Sequence, residues 1–318
     1  MLVMRPPADA LSAATVWIDL LNPTDAERAI VQDHTGHKLP TLADLAEIER
    51  SSQLIVDGEA LRVSCPVTAG ADTPQPSLSH VGMILTPKLL VTVRFAELKA
   101  FEAAAARACP PGKACTSVEA FTALLEACVD RLADLLERAR QDLDEVSRQV
   151  FQQTPGGGAP NRMDVRSSGR LRVSLRHIGG VGERMSMIRD SLLGLGRIAA
   201  FAQEAGKAWI GEDFRDRLKA VGLDIDSLNQ FEEHLSNKVQ FLLDAIVGFI
   251  GIEQNDIFKV LTVFSIVGIF PTLVVGWYGM NFHNMVEYGW KYGYQWGIAL
   301  VVLSTLAPLA WFKWRGWL

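Results

Sequence analysis

Residues 260–280 contain no charged side chain, and neither do residues 292–312. Each run is 21 residues long, about 31 Å as a helix, the thickness of a bilayer's hydrocarbon core. Soluble core helices rarely stay uncharged for so long, so the pattern predicts two membrane spans joined by a loop at 282–291. Upstream the pattern is amphipathic. From Ser117, VEAFTALLEACVDRLADLLERARQDLDEVSRQVF repeats its apolar residues at intervals of three and four, as a long surface helix does. TPGGGAP (154–160) breaks it, and a second helical stretch runs roughly over 163–206. A short helix is predicted near 212–220. After Gly222, a third long helix is predicted from near Asp224, meeting no proline before Pro271. Unbroken to Gly279, that helix would cover about 55 residues and roughly 80 Å. No compact domain needs such a length, which suits a stalk entering a membrane.

The first hundred residues alternate in a different way. TVWIDLL (15–21) reads as a strand, and NPTDAERAIVQ opens a helix that Asn22 or Thr24 can cap, with Glu27 three residues beyond Thr24. PTLADLAEIE (40–49) predicts a second short helix. QLIVDGEALRVSCPV (53–67) reads as two strands around an Asp57-Gly58 turn, and VGMILTPKLLVTVRF (81–95) as two more around Pro87-Lys88. The expectation is a small, largely antiparallel sheet flanked by helices.

The third long helix carries a second pattern. Alternating steps of four and three from Asp244 pass through Gly248, Gly251, Asn255, Phe258, Thr262, Ser265, Ile269, Thr272, Gly276 and Gly279. All but Phe258 and Ile269 are small or polar, and a seven-residue repeat keeps such a stripe on one face. Bulky apolar residues between 260 and 275 lie elsewhere. Two readings stand. Small and hydroxylated residues let membrane helices pack closely. Alternatively, the stripe lines a pathway between several copies of the chain, since two spans cannot enclose one alone. Phe258 and Ile269 would then be narrow apolar rings, which can gate by dewetting.

Charge and cysteine content add limits. The net charge of −5 argues against nucleic acid as a partner. The N-terminus MLVMRPPADALSAATVW has Pro6, Pro7 and Asp9 where a signal peptide needs an apolar core, so the residues before the first span are expected in the cytoplasm. Two spans return the C-terminus to that side, and the tail's Lys313 and Arg315 against the loop's Lys291 agree with the positive-inside bias. Cys65, Cys109, Cys115 and Cys128 form no metal pattern and are expected as free thiols. His34 and His37 in DHTGHKLP are expected in a solvated loop rather than a zinc site. The acids of 142-DLDE-145 and Glu232-Glu233 are expected on solvated helix faces, with weak cation binding as the alternative. No nucleotide-binding loop, organic cofactor or enzymatic centre is expected. The tryptophans and tyrosines near each end of the two spans read as interfacial belts.

The stretch between the spans is GWYGMNFHNMVEYGWKYGY (276–294). Gly279 leaves backbone carbonyl uncovered, and Asn281 adds an amide oxygen and two donors. A ring of such dipoles has no net charge and can hydrogen-bond the water shell of a cation. Mg²⁺ suits this, since it dehydrates reluctantly and takes oxygen ligands at about 2.1 Å. YGMNF at the end of the first of two C-terminal spans resembles the signature of the CorA-type magnesium transporters. WIDLLNPT, the run LLDAIVGFIGIEQNDIFKVLTVFSIVGIFPTLVVGWYGMNF and the tail WFKWRGWL are similar to that family as well.

The resemblance implies an α+β membrane protein. A cytoplasmic α/β domain would be followed by a long stalk helix continuing into the first of two C-terminal transmembrane helices, assembled as a homopentameric funnel. It implies Gly279, Met280 and Asn281 as selectivity filter. It also implies Asn255, Phe258, Leu261, Thr262, Ser265, Ile269, Thr272 and Gly276 as pore lining, with Phe258 and Leu261 at the inner constriction. Asp244 matches a stalk acid that binds regulatory Mg²⁺ between subunits. The family's loop usually reads MPEL; here Met285-Val286-Glu287-Tyr288 keeps the acid, and Glu287 can concentrate cations at the outer mouth. The division expected is 1–115 cytoplasmic α/β, 116–222 cytoplasmic helical, 223–281 stalk and pore helix, 282–291 periplasmic loop, and 292–318 second span with tail. The expected function is Mg²⁺ influx across the inner membrane, with Co²⁺ or Ni²⁺ as secondary ions, gated by intracellular Mg²⁺. A zinc transporter on the same scaffold and a membrane-anchored metal sensor without transport are the alternatives.

Overall fold

The computed structural model of the chain describes residues 1–5, 12, 15–46, 53–70, 73, 76–110, 115–151, 165–280 and 289–317. It divides into two compact units. One comprises Met1–Gln153 with Ser174–Leu242, the other Thr154–Val173 with Leu243–Leu318.

The first unit contains a six-stranded sheet. Its strands are β1 (Leu2–Arg5), β2 (Trp17–Leu21), β3 (Leu54–Asp57), β4 (Ala60–Ala69), β5 (Ser77–Leu85) and β6 (Leu90–Arg94), ordered β1-β2-β6-β5-β4-β3. Gly58, at φ 63°, makes the β3–β4 turn, where a side chain would be strained. β2 and β6 run parallel while the other pairings are antiparallel, as the largely antiparallel expectation has it. That parallel pair requires a crossover, which the helices after β2 and the β3–β5 meander supply. β1 was not anticipated: four residues at a sheet edge carry too short a pattern to read.

Helices cover both faces. On one lie α1 (Asp25–Thr35) and α2 (Leu42–Leu45). Thr24 and Glu27 form the expected capping box on α1, and the bond to the Thr24 backbone, with further hydrogen bonds, lowers the Glu27 pKa. Ile18, Leu20, Val31, Leu39, Ile84 and Val93 form the core there. The segment before α2 and α2 itself sit so near β5 that a Cβ on Gly82 would lie 2.8 Å from Leu45 and 2.9 Å from Pro40. On the other face lie α3 (Lys99–Ala108) and α4 (Ser117–Phe151). Trp17 meets Phe101 of α3, their ring centres 6.1 Å apart.

Three long helices complete the unit: α4, α5 (Val165–Ala205) from Ser174 onward, and α6 (Glu212–Tyr278) as far as Leu242. Glu126 pairs with Arg217 at 2.8 Å, and Phe151 stacks on Phe241, so α4 and α6 run in the same direction. α5 runs antiparallel to α6, with Gly196 beside Ile225 and Gly182 beside Val239. α5 also rests on the sheet: Thr68 of β4 and Ser191 share a hydrogen bond of 3.0 Å, and a Cβ on Gly194 would lie 2.7 Å from Cys65 Cβ.

Three expectations are corrected. The short helix near 212–220 and the long one from Asp224 are a single helix, since α6 runs unbroken from Glu212 through Gly222. A lone glycine costs a helix only about 1 kcal/mol, less than the flanking packing supplies. Cys109 and Cys115 are joined by a disulfide, their Cα atoms 5.2 Å apart, rather than being free thiols. That separation lies within the span a disulfide bridges, which linear spacing does not reveal. Cys65 and Cys128 are free and buried as small core residues, and burial pushes the Cys128 thiol up to about 12. Finally, Glu145 and Glu233 are exposed as expected, but Asp142 and Asp144 are half-buried in ion pairs and Glu232 is not solvated. Asp142 pairs with Arg184 at 2.7 Å, Asp144 with Arg140 at 3.0 Å and with Lys238. Glu232 is buried and accepts a hydrogen bond of 2.7 Å from Ser236 Oγ.

The second unit contains the remainder of α6, from Leu243, and α7 (Gly293–Trp314). Both helices are long and apolar enough to cross a membrane. Pro271 and Pro308 lie inside them. Each removes one backbone donor, and such prolines are tolerated in membrane helices where hydroxyl side chains and neighbours restore the lost partners.

Candidate functional site

The stripe read from the sequence is a continuous exposed band along α6. Asp244, Gly248, Gly251, Asn255, Thr262, Thr272, Gly276 and Gly279 are exposed, and Ser265 is half-buried. Phe258 is 64% exposed, Leu261 58% and Ile269 54%. The opposite pattern belongs to the face that meets α7. Val263 is buried, and Ile266 and Phe270 line a cavity together with Ser304, Pro308 and Phe312 of α7. At about 100° per residue, the stripe between Thr262 and Thr272 is centred roughly 115° around the helix from that face. α6 therefore packs one side on α7 and leaves the stripe largely outside its own chain's packing.

The hydroxyls on the stripe have a defined polarity. Thr262 Oγ1 donates to the Phe258 carbonyl at 2.7 Å, and Thr272 Oγ1 donates to the Gly268 carbonyl at 2.8 Å. Each has given its only proton to the helix, so the lone pairs that remain act as acceptors. The end of α6 is tight. Gly279 N–H donates to the Val275 carbonyl at 2.9 Å, and a Cβ on Gly279 would approach that oxygen to 3.1 Å. Met280 N–H reaches the Trp277 carbonyl at 3.3 Å. Asn281 and Glu287 lie outside the described residues.

Among the described residues, no group of three or more His, Cys, Asp or Glu side chains is arranged to hold a metal. His34 stands in the last turn of α1 and His37 just after it. Below the apolar span, Asp256 pairs with Lys259 at 2.8 Å on the surface of α6.

A sheet domain, a three-helix bundle and a helix that continues into an apolar span, followed by a second apolar helix, define an integral membrane protein. The model of the CorA-like Mg2+ transporter protein family matches residues 12–314, and the chain belongs to that family. With the two apolar helices, this makes it an inner-membrane protein. A magnesium transport protein CorA of Pasteurella multocida is 30% identical over 306 residues, 96% of this chain and 92% of that protein. The fold is similar to the complete structure of the CorA magnesium transporter from Methanocaldococcus jannaschii, with a TM-score of 0.74 at 17% identity over 98% of this chain and 95% of that one. It is less similar to the ZntB cytoplasmic domain from Vibrio parahaemolyticus, with a TM-score of 0.52 at 11% identity over 74% of this chain and 87% of that one.

Proposed function

We propose that the chain is a channel for Mg²⁺ influx across the inner membrane, assembled from identical copies whose α6 stripes face a common axis. The observation that carries this is the exposed stripe of Thr262, Thr272, Gly276 and Gly279 on the side of α6 away from α7. A helix that merely anchors a domain has no use for outward-facing hydroxyl acceptors within an apolar span. A hydrated cation presents O–H donors outward, so rings of Thr oxygens can hold its waters without stripping them. Five copies would make the funnel, by analogy with the family.

In this reading Gly279, Met280 and Asn281 form the outer filter, and Glu287 raises the cation concentration at the mouth. Asn255, Ser265, Thr272 and Gly276 line the path, while Phe258, Leu261 and Ile269 close it when dry. Both termini are cytoplasmic, consistent with Lys313 and Arg315 at one end and Lys291 at the other. The membrane potential contributes roughly 4.6 kcal/mol for a divalent ion at 100 mV, so no nucleotide is needed to drive entry. No chemical transformation and no organic cofactor enter the scheme. Cytoplasmic Mg²⁺ bound at Asp244 between copies holds the gate shut. Co²⁺ and Ni²⁺ are secondary cargo.

The purified chain in liposomes tests this. Mg²⁺ influx exceeds Zn²⁺ influx and does not depend on a proton gradient. Asn281→Ala and Thr272→Val each lower it by at least about tenfold while the oligomer survives, and Thr272→Ser restores it. Zn²⁺ influx coupled to protons would favour the zinc transporter; absence of any flux would favour the sensor.

A further inference from the structure

The second unit carries a feature that conduction does not use. The cavity between α6 and α7, of about 450 Å³, is lined by Ile266, Phe270, Ser304, Pro308, Trp311 and Phe312. One hydroxyl apart, its walls are apolar. At the end of α7 the chain folds back over it. Gly316, at φ 73°, turns the backbone. Its N–H donates to the Lys313 carbonyl at 3.1 Å, and the Trp317 N–H donates to the Phe312 carbonyl at 3.0 Å. This pair of bonds is a Schellman cap, and the contact that accompanies it is present: Trp317 packs on Phe312 at 5.4 Å between ring centres. Phe312 is 1% exposed. The cap fixes the backbone of the tail, which carries two cations. The Arg315 guanidinium lies 5.6 Å from the ring centre of Trp311, itself a wall of the cavity. Lys313 is exposed, and Trp314 is 83% exposed.

We propose that this end of the α6–α7 pair is a site for one anionic phospholipid, with an acyl chain in the cavity and the headgroup phosphate on Arg315 and Lys313. Charge complementarity selects this occupant. No Asp or Glu side chain follows Glu287 in the sequence, so no acidic side chain of α7 competes for the two cations. An exposed tryptophan beside two cations at the end of an apolar helix is also the composition of a membrane–water boundary. In the proposed channel the stripe faces the axis, and the cavity, centred roughly 115° around the helix from it, lies on the outer side toward lipid. Arg315 also has the planar donor fork that fits a phosphate, and Lys313 adds a point charge.

The test is lipid retention by the full chain in detergent, counted by intact-complex mass spectrometry during titration with phosphatidylglycerol or phosphatidylcholine. Each cation near an anionic headgroup gives about a fivefold gain, so phosphatidylglycerol binds roughly thirtyfold tighter. Lys313→Gln with Arg315→Gln brings the two lipids to within about threefold. Ala307→Trp, at an exposed cavity wall, weakens both lipids and leaves their ratio alone. Equal binding of the two lipids by the unaltered chain, or a preference that survives in the double variant, overturns the headgroup assignment. Unchanged affinity in Ala307→Trp overturns the acyl assignment. Efficient cross-linking between copies through Ser304→Cys overturns the proposal as a whole, since a second copy would then occupy the cavity.

Discussion

Asp19 and Arg94 show how much one residue pair can hold. Asp19 is 1% exposed, in the middle of a strand covered on both faces. Arg94 of the neighbouring strand donates from Nη2 at 2.8 Å and from Nε at 3.1 Å, and the Thr92 hydroxyl adds a third bond at 2.7 Å. The guanidinium also sits 4.6 Å from the Phe101 ring centre. Desolvating two charges is costly, and here the bidentate geometry offsets it. Arg94→Met leaves the carboxylate buried with only a hydroxyl for company, and it should cost about 3–5 kcal/mol, read as a drop in thermal midpoint in detergent. Adding Asp19→Leu should recover most of that loss. Asp144 is the contrasting case. The Lys238 ammonium bonded to it, aided by Arg140, lowers its pKa below the ordinary 3.8. Such a carboxylate contributes stability that is complete above its unfolded value and lost as pH falls through the lower folded value. Because the Asp144 side chain is more than a third exposed, the pair is worth under about 1 kcal/mol and is screened by salt. Unfolding followed from pH 7 to pH 3 should show Asp144→Asn and the parent chain converging at the acid end. The capping box and the turn at Gly58 were legible at this scale, because their signals lie within four residues. The Cys109–Cys115 bond and the partners of Asp142, Asp144 and Glu232 were not, because they depend on which residues tertiary packing brings together.

Elements were legible in proportion to the length of their pattern. α4 and α5 match their predicted stretches, and the two hairpins turn where Asp57-Gly58 and Pro87-Lys88 place them. β1 and α3 went unread: one is four residues long, and the other, KAFEAAAARA, is too rich in alanine to show a clear period. The start of α6 was misplaced because Gly222 was read as a boundary. Glycine is ambiguous in sequence, and its environment decides its meaning. Gly194 of α5 exists for close approach, since a Cβ would meet that of Cys65 at 2.7 Å. Gly222 of α6 has nothing within 4 Å of the position a Cβ would take. Alanine should therefore act in opposite directions at the two sites. Gly194→Ala forces α5 away from β4 and destabilises by about 1–3 kcal/mol, as overpacking does. Gly222→Ala removes backbone freedom from the unfolded chain and stabilises by up to about 1 kcal/mol. Paired thermal melts that shifted in the same direction would mean the close contact at Gly194 does not govern α5.

For the whole molecule, the two apolar spans and the family were legible, while a site shared between copies is not the kind of feature one sequence displays. A stripe repeating over seven residues survives in a single sequence, and α6 shows it as one exposed band. A site shared between copies leaves no such trace, because its second half lies on another chain. Asp244 is exposed on the first turn of the second unit, well before the apolar run begins at residue 260. If cytoplasmic Mg²⁺ bound there holds the copies together, loss of the carboxylate must raise the concentration at which internal Mg²⁺ shuts the channel. Allosteric couplings of ordinary size span about 5- to 150-fold, so Asp244→Ala should raise the half-inhibiting concentration by at least about fivefold. Mg²⁺ influx into liposomes loaded with graded internal Mg²⁺ reads this directly. Asp256→Ala is the matched control: its carboxylate lies on the same helix three turns closer to the apolar run, 2.8 Å from Lys259, and the inhibition curve should stay in place. Equal shifts in both variants would reduce the effect to surface charge, screened over about 10 Å at 0.1 M salt. A shift confined to Asp244, which raised salt does not abolish, requires a bound ion, because buried or ligated charges escape that screening.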